Sequence, residues 1–227
     1  MSALGRLLVV SPHLDDAVFG CGEVLASHPG CVVVTVFAGW SNPLRPPTEW
    51  DAAAGFGPGD DVVRTRRAED RVALERLAAK PRWLEFLDRQ YARSPPADSI
   101  ARVLREVLHV DAPSTVLLPL GLFHSDHVLA SNACLQLMHG DRERQWLAYE
   151  DAMYRRLPGL VQKRLAALLA SDVQVTPLQL VSARQLDRKR SAVESYASQL
   201  RALSAPGRPG YEDVFACESY WRLSVSS

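Results

Sequence analysis

Apolar runs with strand character alternate along most of the chain with segments that have the apolar spacing of helices. Continuous apolar or β-branched runs predict strands at 7–10, 31–37, 115–120 and 146–150. Helical spacing predicts helices at 16–27, from 60 or 61 to 79, 98–109, 125–138, 160–169 and 182–203. This alternation is typical of an α/β fold with a mostly parallel sheet covered by helices on both faces.

Three further segments are less regular. Residues 38–59 contain several Pro and Gly together with two Trp, and predict a long loop that is either a functional lid or a surface insertion. Residues 82–87 suggest a short strand, and the aromatic-rich end at 211–223 is expected to pack on the sheet. Because the chain has no internal repeat and no clear boundary, residues 1–227 are predicted to form a single domain.

Composition narrows the classes of function. The 26 Lys and Arg balance the 26 Asp and Glu, so no electrostatic argument favours a nucleic acid partner. No apolar stretch approaches the roughly 20 residues that span a bilayer. The N-terminus lacks a signal-peptide pattern, and the four scattered cysteines fit free thiols, so a cytoplasmic location is expected. The sequence does not indicate an oligomeric state.

Two polar clusters follow predicted strands, and they carry the chemistry of the chain. His13-Leu14-Asp15-Asp16 comes after the strand at 7–10, and His124-Ser125-Asp126-His127 comes after the strand at 115–120. Open α/β sheets bind ligands outside the carboxyl ends of their strands, where both clusters are expected to lie. The hypothesis of one joint site therefore depends on a fold that brings these two strand ends together.

The spacing within each cluster suits a metal ion. His13 and Asp16 are three residues apart, as are His124 and His127, so one helical turn would direct each pair to one point. Catalytic zinc takes three protein ligands and keeps a fourth position open. His13, Asp16 and one of the two histidines of the second cluster fit that count. The alternative for the Asp pair is helix capping, since carboxylates favour helix N-termini.

The residues resemble the PIG-L family, also called LmbE-like, of zinc-dependent N-acetylglucosaminyl deacetylases. The family pattern is a strand followed by His-Pro-Asp-Asp-Glu, with His-x-Asp-His far downstream, and this chain has Leu14 and Ala17 where the family usually has Pro and Glu. Further matching motifs extend over nearly the whole chain: Arg66-Arg67-Ala68-Glu69, Tyr149-Glu150-Asp151, Lys189 with Tyr196-Ala197-Ser198-Gln199, and Glu218-Ser219-Tyr220-Trp221-Arg222. The resemblance implies a Rossmann-like three-layer sandwich.

The resemblance also implies ligands and a reaction. His13, Asp16 and His127 would hold Zn²⁺ for hydrolysis of the acetamide of an N-acetylglucosamine-type sugar or of its small-molecule conjugate. Asp15 would be the general base that takes a proton from the metal-activated water. The leaving amine would receive its proton from Asp15 or from His124.

The remaining implied roles concern the oxyanion and the substrate. His124, as imidazolium, would stabilise the tetrahedral oxyanion, and Asp126 would orient that ring. Arg66 would contact substrate hydroxyl or phosphate groups, unless it pairs within its helix with Glu69 or Asp70.

Three alternatives remain open at the level of sequence. The chain could be a metal-dependent hydrolase of another amide or of a phosphate ester. It could also be a non-catalytic sugar-binding homologue, although simple binding needs neither a base nor an oxyanion donor. A nucleotide-binding Rossmann protein is disfavoured, because no Gly-x-Gly-x-x-Gly motif follows the first strand.

Overall fold

The structure is a computed structural model that describes residues 4–40, 45–141, 143–181 and 184–225. Within these ranges seven strands form one sheet in the order β3-β2-β1-β4-β5-β7-β6. The strands are β1 (Leu7–Ser11), β2 (Val32–Thr35), β3 (Lys80–Trp83), β4 (Thr115–Pro119), β5 (Gln145–Tyr149), β6 (Val173–Leu178) and β7 (Tyr220–Val225). The first five are parallel, whereas β7 runs antiparallel to both β5 and β6.

Helices connect the strands and cover the sheet. The α-helices in the described ranges are α1 (Asp16–Ser27), α2 (Glu49–Ala53), α3 (Val62–Arg76), α4 (Ala97–Asp111), α5 (Ser125–His139), α6 (Leu160–Leu169), α7 (Leu186–Val193) and α8 (Ala197–Leu203). Short 3₁₀ turns lie at Tyr154–Arg156 and Glu212–Phe215.

Alternate side chains of the central strands serve two separate hydrophobic cores, as the period of a strand requires. Val9 and Leu117 pack with α1, α3 and α7 on one face of the sheet. Val10 and Leu118 pack with α4, α5 and α6 on the other face. A fully buried side chain of this size contributes about 1.5–3 kcal/mol relative to exposure. The predicted α/β fold with a mostly parallel sheet between helical layers is confirmed.

The order of the strands determines where a site can form. β1 pairs with β2 on one side and with β4 on the other, so that Val9 lies opposite both Val33 and Leu117. The chain order along the sheet reverses between β1 and β4, and α/β sheets bind ligands at the carboxyl ends of strands on either side of such a reversal. The two polar clusters follow these two strands.

Three elements differ from the sequence-based expectation. The helix predicted at 182–203 is two helices, because the backbone leaves helical geometry near Tyr196; residues 182 and 183 lie outside the described residues. Tyr196 donates its hydroxyl to the buried Asp70, a tertiary contact that outweighs local helix propensity. The strand expected at 82–87 is observed as β3, which begins at Lys80 and ends at Trp83. β6 was not predicted, because Pro177 weakens its strand pattern.

The predicted loop at 38–59 contains the short helix α2, and its residues 41–44 lie outside the described residues. Thr48 and Asp51 form a reciprocal capping box at the start of that helix. The aromatic-rich C-terminal segment contributes β7 to the sheet. Among the residues that the structure describes, no helix has the length and apolar character needed to cross a membrane.

Candidate metal centre

The first cluster occupies the turn from β1 into α1. The hydroxyl of Ser11 accepts the backbone N–H of Ala17 at 2.9 Å, and Asp16 Oδ2 accepts the backbone N–H of His13 at 2.8 Å. Asp15 stands at the N-cap position, but its side chain makes no capping hydrogen bond. The carboxylate of Asp15 is buried and remains available for another role, so capping does not explain this residue.

The second cluster occupies the turn from β4 into α5. His124 is the N-cap residue of α5, and its Nδ1 accepts the backbone N–H of Asp126 at 3.3 Å. His127, one turn into the helix, is buried. Because β4 lies beside β1, the start of α5 faces the start of α1, and the two clusters meet.

One carboxylate oxygen at this meeting point contacts an imidazole from each cluster. Asp16 Oδ2 lies 3.1 Å from His13 Nδ1 and 3.2 Å from His127 Nε2. Ligands placed 2.0–2.1 Å from a tetrahedral zinc ion are roughly 3.3 Å apart, so these spacings fit such an ion. His124 also approaches, since His13, His124 and His127 have ligand atoms within 4.8 Å of one another. The donor set therefore suits a metal ion.

Each of the two converging imidazoles is held by a carboxylate at its other nitrogen. His127 Nδ1 lies 2.6 Å from Asp151 Oδ1, and His13 Nε2 lies 3.2 Å from Asp126 Oδ2. Histidine ligands of metals have this arrangement, which fixes the ring and raises its basicity. The expected contact between the Asp126 carboxylate and His124 is not the one observed. The Asp126 carboxylate contacts His13, while its backbone amide contacts His124.

Electrostatics favour positive charge where the ligand atoms converge. Burial opposes ionisation of Asp16, but the adjacent charge and hydrogen bond of His127 hold its pKa well below the usual range. Burial likewise opposes protonation of His127, but Asp16 and Asp151 raise its pKa to about 9. The pKa of His13 is raised against the effect of burial by hydrogen bonds to Asp126 and Asp16.

Asp15 and His124, which are not ligands in the predicted set, have different electrostatic environments. Burial, reinforced by the negative charge of Asp16, raises the pKa of Asp15 to about 7. A general base works best when its pKa lies near the operating pH. Burial, reinforced by the imidazoles of His13 and His127, lowers the pKa of His124.

The candidate metal centre lies in a cavity of about 790 Å³. The cavity is lined by the six residues His13, Asp15, Asp16, Trp50, His124 and His127, and by residues 88–90, 123, 153, 154, 157, 199, 203 and 207–209. Trp50 comes from α2, within the segment predicted as a loop, and its indole N–H donates to Gln199 Oε1 at 3.0 Å. The cavity has the size of a site for a small molecule.

Arg66 lies beside this cavity rather than in its lining. Its Nη2 is 3.0 Å from Asp51 Oδ1, and the side chain is buried, so its partner is neither Glu69 nor Asp70. The guanidinium lines an adjoining recess of about 30 Å³ together with His13 and Gln199. Glu69 instead accepts the hydroxyl of Ser198.

Asp151 is a residue of the site to which the sequence analysis gave no role. It follows β5, the neighbour of β4, so the rule that placed the two clusters at strand ends applies to it as well. Besides His127, it accepts the backbone N–H groups of Gly121 and Leu122 at 2.9 and 3.0 Å. One buried carboxylate thus fixes both the turn after β4 and the orientation of His127.

We expect Asp151→Asn to weaken zinc binding by about 10–100-fold, the usual effect of losing a carboxylate behind a histidine ligand. The measurement is a zinc titration against a competing chelator, with Asp187→Asn, an exposed carboxylate on α7, as the control. Unchanged zinc affinity in Asp151→Asn would show that Asp151 does not act through a metal-binding His127.

Comparison with known proteins identifies the family. The family model described as PIG-L: GlcNAc-PI de-N-acetylase matches residues 8–138, which include both polar clusters. The chain belongs to the PIG-L family, as its motifs predicted.

Three proteins similar to this chain are named as deacetylases. In a comparison over 171 aligned residues, the chain is 30% identical to a 2'-N-acetylparomamine deacetylase of Streptomyces fradiae. The match covers 66% of this chain and 58% of that protein. A deacetylase triple mutant from the teicoplanin biosynthetic pathway is 29% identical with a TM-score of 0.83, covering 98% of this chain and 99% of that one. The zinc-inhibited form of a teicoplanin deacetylase is 25% identical with a TM-score of 0.78, covering 98% and 99%.

Proposed function

We propose that this protein is a zinc-dependent N-deacetylase, which removes the acetyl group from an N-acetylglucosamine-type amino sugar or its small-molecule conjugate. The observation that carries this proposal is the position of Asp16 Oδ2, within 3.2 Å of both His13 Nδ1 and His127 Nε2. The buried Asp15, free of any capping role, is the adjacent residue. Family membership and the deacetylases among its relatives support the choice of reaction.

His13, Asp16 and His127 are the residues proposed to hold zinc. Two sets have ligand atoms that all lie within 4.8 Å of one another: His13 with His124 and His127, and His13 with Asp88 and Asp126. We favour the set with Asp16, because its oxygen contacts both imidazoles. His13 and His127 each have a carboxylate at the second nitrogen, whereas Nδ1 of His124 accepts a backbone N–H. Bound there, zinc would lower the pKa of a water to about 7 and polarise the acetamide carbonyl.

Asp15 is proposed to be the general base. Its carboxylate accepts a proton from the attacking water, whose oxygen forms a bond to the acetamide carbonyl carbon. The bond between that carbon and the sugar nitrogen then breaks, which releases acetate and the free amine. The nitrogen receives its proton from Asp15 or from His124. A sugar-binding protein without catalysis would have no use for a buried carboxylate in this position.

His124 is proposed to donate to the oxyanion that develops on the carbonyl oxygen. Since Nδ1 accepts the backbone N–H of Asp126, the hydrogen of the neutral ring lies on Nε2, which can donate to the oxyanion. A donor of this kind typically lowers the barrier by roughly 3–4 kcal/mol. Asp126 is proposed to act mainly on His13, which its carboxylate contacts.

Arg66 is proposed to influence substrate binding from the recess beside His13 and Gln199. Its pairing with Asp51 also ties α3 to α2, the helix that contributes Trp50 to the cavity. The single domain and the cytoplasmic location expected from the sequence stay predictions.

Acetate release from a panel of N-acetylglucosamine conjugates tests the proposed function. The zinc-loaded protein is expected to release acetate and to leave a free amine in equal amounts from at least one conjugate. Release of phosphate from phosphorylated sugars, with no acetate from any conjugate, would contradict the proposed deacetylase activity. It would indicate a phosphate ester hydrolase instead.

A further inference from the structure

Phe123 has an unusual backbone and an unusual exposure. Its φ is +58°, and the backbone N–H of His124 donates to Leu122 O at 2.7 Å, which closes a three-residue turn around it. Bulky side chains rarely adopt positive φ. The ring is nevertheless 66% exposed, so no burial in the core compensates for this backbone. Strained residues of this kind concentrate at binding sites.

The turn at Phe123 is fixed by groups of the metal centre. Asp151 accepts the N–H groups of Gly121 and Leu122 just before it, and His124 begins α5 just after it. The Phe123 ring therefore has a defined position relative to the candidate ligand His127.

Phe123 is connected to His127 through one further ring. It stacks on Tyr154 with centroids 5.2 Å apart and an angle of 29°, and Tyr154 packs edge-on against His127 at 5.3 Å. Tyr154 covers one face of Phe123, while the ring as a whole stays mostly exposed. These two ring-to-ring steps, of 5.2 and 5.3 Å, keep the Phe123 ring close to His127.

A second strained residue lies on the same side of the cavity. Met153 has a φ of +67°, and its N–H donates to Asp213 Oδ2 at 2.7 Å, which also accepts from Arg155. Leu157, 41% exposed, follows shortly after. Phe123, Met153, Tyr154 and Leu157 all line the cavity, and we call them the apolar wall.

We infer that the apolar wall binds the part of the substrate attached to the amino sugar, and that this part presents an aromatic ring that stacks on Phe123. The inference rests on the proposed function and adds the substrate class to it. None of the four wall residues carries a charge, and the arginines that line the same cavity, Arg89 and Arg208, belong to other segments. An aromatic ring gains from the free face of Phe123, because offset stacking adds to the burial of apolar area.

The test compares the phenyl and methyl glycosides of N-acetylglucosamine as substrates of the zinc-loaded protein. We expect kcat/KM to be about tenfold higher for the phenyl glycoside, the factor that one stacked ring typically provides. Phe123→Gly removes the ring and suits the positive φ, and it should abolish this preference. Phe123→Tyr keeps an aromatic ring and should retain it. Val110→Ala, which trims a similarly exposed side chain on α4, is the control.

A binding measurement separates the inference from the proposed function. Calorimetric titration of wild type and Phe123→Gly with each glycoside gives the phenyl preference without turnover. Equal affinities and equal kcat/KM for the two glycosides in wild type would overturn the inference, as would a phenyl preference that survives in Phe123→Gly. Phenyl-selective binding that depends on Phe123, in a protein that releases no acetate, would support the apolar wall and contradict the deacetylase.

Discussion

Asp15→Asn is expected to lower kcat for acetate release by roughly 10²–10⁴-fold while the protein still binds one zinc per chain. The asparagine keeps the shape of the side chain but cannot accept the proton of the attacking water, and general base catalysis is commonly worth this factor. Zinc should remain bound, because the proposed ligands are Asp16 and the two imidazoles rather than Asp15. Burial and the charge of Asp16 raise the pKa of the Asp15 carboxyl to about 7 before any metal is bound.

The measurement is single-turnover acetate release together with the metal content of the same sample. Asp187→Asn changes an exposed carboxylate on α7 in the same way and should leave both values unchanged. Wild-type release by Asp15→Asn would remove Asp15 as the base. Loss of zinc from this variant would make Asp15 a ligand instead.

His127→Ala and His124→Ala are both expected to lower activity, but only His127→Ala is expected to lower the zinc content. His127 lies within 3.2 Å of Asp16 Oδ2 and is backed by Asp151, so its loss should deplete the metal and thereby activity. His124→Ala should retain the metal but lower kcat by about 10²–10³-fold, the usual effect of removing one oxyanion donor.

Zinc content after dialysis against a fixed free zinc concentration, with kcat measured on the same samples, distinguishes the two variants. His139→Ala removes an exposed imidazole from the end of α5 and serves as the control. Zinc loss in His124→Ala with zinc retained in His127→Ala would exchange the two roles. Zinc loss in both variants would favour the set of three histidines.

The sequence predicted the fold class and the residues of the two clusters because those features depend on local pattern. Buried parallel strands appear as continuous apolar runs, such as 7–10 and 115–120, and polar residues stand out at their ends. The spacing within each cluster did not show that the clusters meet. That meeting depends on the pairing of β1 with β4, a contact between residues more than a hundred positions apart.

The partners within the site were harder to predict, because they depend on tertiary contacts. Asp126 follows His124 closely in sequence, yet its carboxylate contacts His13 from the other cluster. Asp151 reaches His127 only because β5 lies beside β4. The positive φ of Phe123 has no sequence signal, since Gly or Asn is the residue expected in such a turn.

Acetate release during a zinc titration of the metal-free protein tests the central claim most directly. The account predicts no release without metal, and a rate that rises in proportion to bound zinc until one equivalent per chain is reached. The relevant substrate is an N-acetylglucosamine conjugate, with acetate and free amine formed in equal amounts. Acetate release that persists in the metal-free protein, or a zinc-saturated protein that releases no acetate from any conjugate, would contradict the account.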